Sequence, residues 1–193
     1  MEGPMRQEDG YLKVGAMELF RRRIPWLLVL MISATFTGRI IAAFENALAV
    51  QSALIVFIPM LMDTGGNSGS QASVTVIRSL YLQELSPRDV WRVLWKEGRV
   101  AFLCGGVLSA ANFLKIILID NLLLRTGIPL RVGVIVCLTL WCTVLVAKLV
   151  GSSLPLLAKK CGFDPAVMAG PFITTVVDAL ALLMYFGIAR IIL

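Results

Sequence analysis

Asp63, Asn67, Gln71 and Thr75 recur every four residues, which puts them on one face of any helix that contains them, with Arg78 in the same sector. They stand in and just after DTGGNSGSQ (63–71), a polar run enclosed by the apolar segments ALAVQSALIVFIPML (47–61) and ASVTVIRSLYLQ (72–83). A second set lies in DPAVMAGPFITTVVDALALLMYF (164–186), where Thr174 and Asp178 are one helical turn apart and Gly170-Pro171 precedes them. Carboxylates, side-chain amides, hydroxyls and carbonyls freed near a proline are all hard oxygen donors, the chemistry suited to Mg²⁺ or Ca²⁺.

Other chemistries are thinly represented. The chain has no histidine, so the commonest ligand for zinc, copper and nickel is missing, as is the usual proton shuttle near neutral pH. Cys104, Cys137, Cys142 and Cys161 show no C-x-x-C spacing, and the first three fall in apolar stretches where cysteine serves as a small filler. No nucleophile with an adjacent base and no phosphate loop is present, so an enzyme is not expected. Structural roles compete with cation binding at two places: Asn67 and Gln71 can form a hydrogen-bonded seam between helices, and Asp178 can pair with Lys115 or Lys148. Asp63 favours the functional reading, because an ionisable group at membrane depth is costly and marks a pathway.

These residues must be positioned by elements that live in lipid. Of 193 residues, 58% are hydrophobic and 16% charged, and the mean hydropathy is +0.85; soluble domains hold about 45–50% and about 25%. A spanning helix needs about 20 mostly apolar residues. Five such stretches occur, at Ile24–Phe44, Ala47–Gln83, Val93–Ile119, Val132–Ala158 and Ala166–Leu193. The expected fold is therefore an all-α integral membrane protein of five transmembrane helices. The second stretch would be about 55 Å long as a single helix at about 1.5 Å per residue. Pro59 and Gly65-Gly66 are where it is expected to be interrupted, because proline leaves a carbonyl unpartnered and glycine tolerates the freed backbone. In the fifth stretch Asp164-Pro165 reads as a cap and first-turn proline, with Gly170-Pro171 disturbing the helix from inside. Gly66, Gly69 and Ser73 make a second, small-residue face that invites close helix approach.

Lys and Arg set the expected orientation. Arg6, Lys13, Arg21, Arg22 and Arg23 precede the first stretch, Arg88, Arg92 and Lys96 mark the second connection, and Lys159 and Lys160 the fourth. The first connection has no basic residue, the third has Arg125 and Arg131, and Arg190 lies near the C-terminus. That asymmetry predicts a multi-pass protein of the cell membrane with a cytoplasmic N-terminus and an outer C-terminus. The net charge of +6 is then accounted for by anchors against anionic headgroups, without nucleic acid.

PMLMDTGGNSGSQASVTVIRSL (59–80) and LPLLAKKCGFDPAVMAGPFITTVVDALALLMYF (154–186) resemble the two signature segments of the MgtE family of magnesium channels. The first resembles that family's proline, spacer, Gly-Gly-Asn and Gln motif; the second resembles its Asp-Pro-Ala, Gly-Pro-Phe, Thr-Thr and Val-Asp pattern. The resemblance covers residues 20 to 193 or so. It implies a homodimer whose pore lies on the two-fold axis, lined by the second and fifth helices of both subunits. It also implies that Asp178 and its two-fold mate hold a hydrated Mg²⁺ with help from backbone oxygens near Thr174, and that Gly65, Gly66 and Asn67 are part of the same pore wall. Asp63, Gln71, Gly170, Pro171 and Thr175 are further candidates to line it. Glu97, at the cytoplasmic end of the third helix, is a candidate cation contact.

The implied activity is conduction of Mg²⁺ down its electrochemical gradient, with a secondary transporter of divalent cations as the alternative. Partners are a second copy, membrane lipid and the cation itself. The expected domain division is a basic cytoplasmic segment with a short connecting helix, 1–23, followed by a pore domain, 24–193. Family members carry a large acidic cytoplasmic region that senses magnesium, whereas here a short basic segment precedes the first stretch, so the usual sensor is not expected to gate this chain.

Overall fold

The computed structural model describes residues 14–44, 51–162, 164–165 and 171–193. Its elements are α1 (Ala16–Ala43), a 3-10 segment (Ser52–Phe57), α2 (Ile58–Tyr81), α3 (Val90–Lys115) continued by a π-helical segment (Ile116–Leu123), α4 (Leu130–Lys160) and α5 (Pro171–Ile192). All regular structure among the described residues is helical. Among the described residues four helices are long and apolar enough to cross a membrane: α1, α3 with its π extension, α4 and α5. The exception is α2. Its 24 residues would span about 36 Å, but the stripe from Asp63 to Arg78 keeps it from reading as apolar. It packs against α4 and α5, while α3 lies on α4 and α1 on α5.

The apolar faces sort as expected for a protein in lipid. The strongly apolar window of α1 is unburied within the chain, and Phe36, Leu103, Val107, Leu122 and Leu123 all point outward. Hydrocarbon is a suitable neighbour for such side chains, so outward exposure there carries no penalty. Inside, Leu54, Phe57, Leu61, Ile135, Leu182, Tyr185 and Phe186 form the main cluster. The Tyr185 hydroxyl donates to the Leu54 carbonyl at 2.9 Å, which ties the 3-10 segment to α5 and satisfies both groups away from water. A smaller cluster of Val76, Val93 and Leu156 joins α2, α3 and α4 at the opposite end.

Several expectations are corrected. α2 runs without a break through Gly65 and Gly66, and the irregular backbone lies earlier, in the 3-10 segment. Pro59 sits in the first turn of α2, where a missing N–H leaves no carbonyl unpartnered, so it starts the helix and does not cut it. Glycine inside a helix costs about 1 kcal/mol relative to alanine, and here the glycines are what lets neighbouring helices approach. A Cβ at Gly65 would lie 2.7 Å from Thr143 Cγ2, one at Gly69 would lie 3.1 Å from the Ala147 carbonyl, and one at Gly151 would fall on the Gly69 carbonyl. α2 and α4 therefore touch backbone to backbone, a contact available only to residues without side chains.

At the fifth helix, Pro165 lies in a turn and the first described helical residue is Pro171. Asp164 accepts a hydrogen bond from the Tyr81 hydroxyl at 3.0 Å, linking the end of α2 to the α4–α5 connection. Residues 166–170, with the expected pore residue Gly170, lie outside the described residues. α1 begins at Ala16, so Arg21 to Arg23 belong to the same continuous helix as the apolar stretch, with no break between residues 23 and 24. In α3 the π segment brings residues five apart into register. Lys115 donates to the carboxylate of buried Asp120 at 2.8 Å, so the alternative pairing of Lys115 with Asp178 does not form.

Candidate functional site

Asp178 is brought to α2 by the helix that glycine allows to come close. A Cβ at Gly66 would lie 3.1 Å from Thr174 Cγ2 and 3.9 Å from Asp178 Oδ1. The one-turn spacing of Thr174 and Asp178 along α5 thus faces the backbone of α2 at the glycine pair. Asp63 stands almost one turn before Gly66 on the same helix. Two carboxylates more than a hundred residues apart in sequence are thus carried by a pair of packed helices, α2 and α5. Among the described residues neither has a hydrogen-bond or ion-pair partner.

The stripe on α2 opens into a cleft of about 540 Å³ between α2, α3 and α4. Asp63, Thr64, Asn67, Ser68 and Gln71 form its polar wall, Leu103, Cys104, Val107 and Leu108 the facing wall from α3, and Lys148 enters from α4. Asn67 and Gln71 are exposed on that wall, and no hydrogen bond joins them to another helix among the described residues, so the expected alternative of an interhelical seam is not formed. Thr75 continues the stripe in register but spends its hydroxyl on the Gln71 carbonyl, 2.9 Å away within the same helix. That leaves Asp63, Asn67 and Gln71 as the outward-facing oxygen donors of α2.

The remaining expected residues fall in three places. Gly65 and Gly66 are buried under α4 and α5, where they act through close packing. Pro171 opens α5, and Thr175 is half-buried on it beside Thr174. Glu97 lies on α3 outside the cleft, six residues before Leu103, or about 9 Å of helix rise. No cluster of three or more His, Cys, Asp or Glu side chains occurs among the described residues.

The cleft also contains residues that the periodicity argument passed over. Thr64 and Ser68 lie at the edge of the stripe and look like helix surface in sequence. Lys148, which the sequence offers as a partner for Asp178, forms no ion pair with that residue. The available signal was a lysine in the middle of a long apolar stretch, which demands a polar neighbour of some kind.

Comparison with known proteins bears on the same residues. A family model, MgtE, described as a divalent cation transporter, matches residues 58–188. A magnesium transporter MgtE from Thermus thermophilus is 36% identical over 183 residues, 95% of this chain and 39% of the relative. Its counterpart from Bacillus subtilis is 37% identical over 169 residues, 87% of this chain and 36% of the relative. The one from Enterococcus faecalis is 34% identical over 168 residues, with the same shares. The chain thus spans 36–39% of the length of these relatives.

Proposed function

Because this chain belongs to the MgtE family of divalent cation transporters, which are not enzymes, we propose that it conducts Mg²⁺ through the membrane as a channel. The observation that carries this reading is the seating of the Asp178 carboxylate against Gly66 of the polar helix α2, the helix that also bears Asp63, within an apolar bundle. A carboxylate at membrane depth loses hydration, so it persists where a cation or a water-filled path neutralises it. The relatives from three bacteria are named as magnesium transporters, which makes Mg²⁺ the first cation to test.

The conducting unit is a homodimer with the pathway on its two-fold axis. Each subunit contributes the exposed stripe of α2 and the Thr174–Asp178 face of α5. Two copies of Asp178 then supply the one or two carboxylates by which a largely hydrated Mg²⁺ is usually bound. Asn67 and Gln71 extend the polar wall, and Glu97 receives the ion at the cytoplasmic mouth. The N-terminus is cytoplasmic, and Arg21 and Arg23 lie toward that end of α1. A divalent ion moving inward gains about 4.6 kcal/mol per 100 mV of membrane potential, enough to drive flow without protons or ATP.

Flux of Mg²⁺ into liposomes containing only this chain tests the proposal. Uptake should follow an imposed inside-negative potential in the absence of any proton or sodium gradient. Uptake that needs such a gradient would favour a coupled transporter, and no uptake of any divalent cation would overturn the reading.

A further inference from the structure

Lys148 has no role in the pathway described so far, yet it is the least expected side chain in the cleft. It lies midway along α4 and is 6% exposed. Its helical neighbours Ala147 and Gly151 are pressed against Gly69 of α2, which fixes that part of α4 against the polar helix. Among the described residues Lys148 has no hydrogen bond and no ion pair. The bundle's other lysine at depth, Lys115, is matched by Asp120 in the π segment, so that acid is already engaged. An ammonium in an apolar bundle is stable where it faces water or an opposite charge. The cleft supplies both, because its walls are polar on the α2 side and Asp63 is the carboxylate that lines it.

We propose that Lys148 is a tethered counter-cation of the Asp63 face, competing with the transported ion for one electrostatic field and thereby holding divalent affinity low enough for release. The inference rests on the cation-transport reading and deepens it. Conduction needs binding strong enough to admit the ion and weak enough to let it leave. A pair of carboxylates without an opposing charge would hold a divalent ion tightly, and a fixed positive charge nearby reduces that hold. At separations of about 10 Å in a partly aqueous cleft, one elementary charge changes the affinity of a divalent ion on the order of tenfold.

The test compares the full chain with Lys148→Met, Lys148→Arg and Asp63→Asn, and with the double variant Lys148→Met/Asp63→Asn. Mg²⁺ binding in detergent is read by calorimetry and flux is read in liposomes. Lys148→Met should bind Mg²⁺ about tenfold more tightly, with flux saturating at correspondingly lower Mg²⁺ and reaching a lower maximum. Lys148→Arg keeps the charge and should stay within about threefold of the unmodified chain. Much of the gain from Lys148→Met should vanish when Asp63 is already Asn, because the shared carboxylate is gone. Should Lys148→Met fail to fold, Lys148→Gln removes the charge while leaving a polar group and is measured in the same way. Unchanged affinity in the neutral variant, with the unmodified chain conducting Mg²⁺ normally, overturns the inference and leaves the transport reading standing. Absence of flux in the unmodified chain overturns the transport reading itself.

Discussion

The Asp178 carboxylate lies over the backbone of Gly66, with Oδ1 3.9 Å from the position a Cβ would take there. The acid of α5 and the glycine pair of α2 are therefore one structural unit. Adding a side chain at residue 66 displaces Thr174 first, since its Cγ2 would be only 3.1 Å away, and moves Asp178 with it. Gly66→Val should lower Mg²⁺ flux at least tenfold while costing about 1–3 kcal/mol of stability from overpacking. Comparing flux with the thermal melting point separates the two effects; full flux in a folded Gly66→Val variant would show that the Asp178 position is not critical.

If Asp178 binds the cation, Asp178→Asn removes one negative charge per chain at nearly constant volume. Mg²⁺ affinity should fall by about tenfold or more, the scale of losing one charge-assisted contact to a divalent ion. Because Asp178 has no described ion-pair partner to be left unpaired, the variant should fold as well as the parent. Calorimetric titration and size-exclusion chromatography measure the two quantities, and undiminished binding would remove Asp178 from the site.

Asn67 and Thr75 share the exposed stripe but differ in how they are engaged. Thr75 bonds its own helix at 2.9 Å, whereas Asn67 presents its amide to the cleft. Asn67→Leu should therefore reduce conduction several-fold, and Thr75→Val should change it by less than about twofold. Equal losses at the two positions would place Asn67 outside the ion's path.

The contact of Gly69 with Gly151 sets the spacing of α2 and α4. Gly151→Ala puts a methyl group onto the Gly69 carbonyl and should cost about 1–3 kcal/mol. Gly106 provides the control, since nothing lies within 4 Å of a Cβ added there on α3. Gly106→Ala should be neutral or stabilising by up to about 1 kcal/mol through helix propensity. Melting curves in one detergent should show a lower transition for Gly151→Ala alone.

Membrane residence, the helical class and the two oxygen-bearing faces followed from sequence because each is a local property. Twenty-residue apolar runs define spans, and a four-residue repeat from Asp63 to Thr75 defines a face without reference to any other helix. Family membership was legible for a related reason: the Gly-Gly-Asn and Val-Asp patterns are continuous in the chain. Tertiary structure decided which faces meet. The glycine pair read as a break is a packing surface in an unbroken helix, since the neighbours that occupy the missing side-chain space, Thr143, Thr174 and Val177, come from sequence far away. The same holds for charge. The sequence left Lys115 and Lys148 as candidate partners for Asp178, and the π segment engages Lys115 with Asp120 instead by bringing residues five apart together. Lys148 was visible as an oddity in α4, but its entry into the cleft of Asp63 depends on backbone contact between Gly69 and Gly151, which only the packed bundle contains.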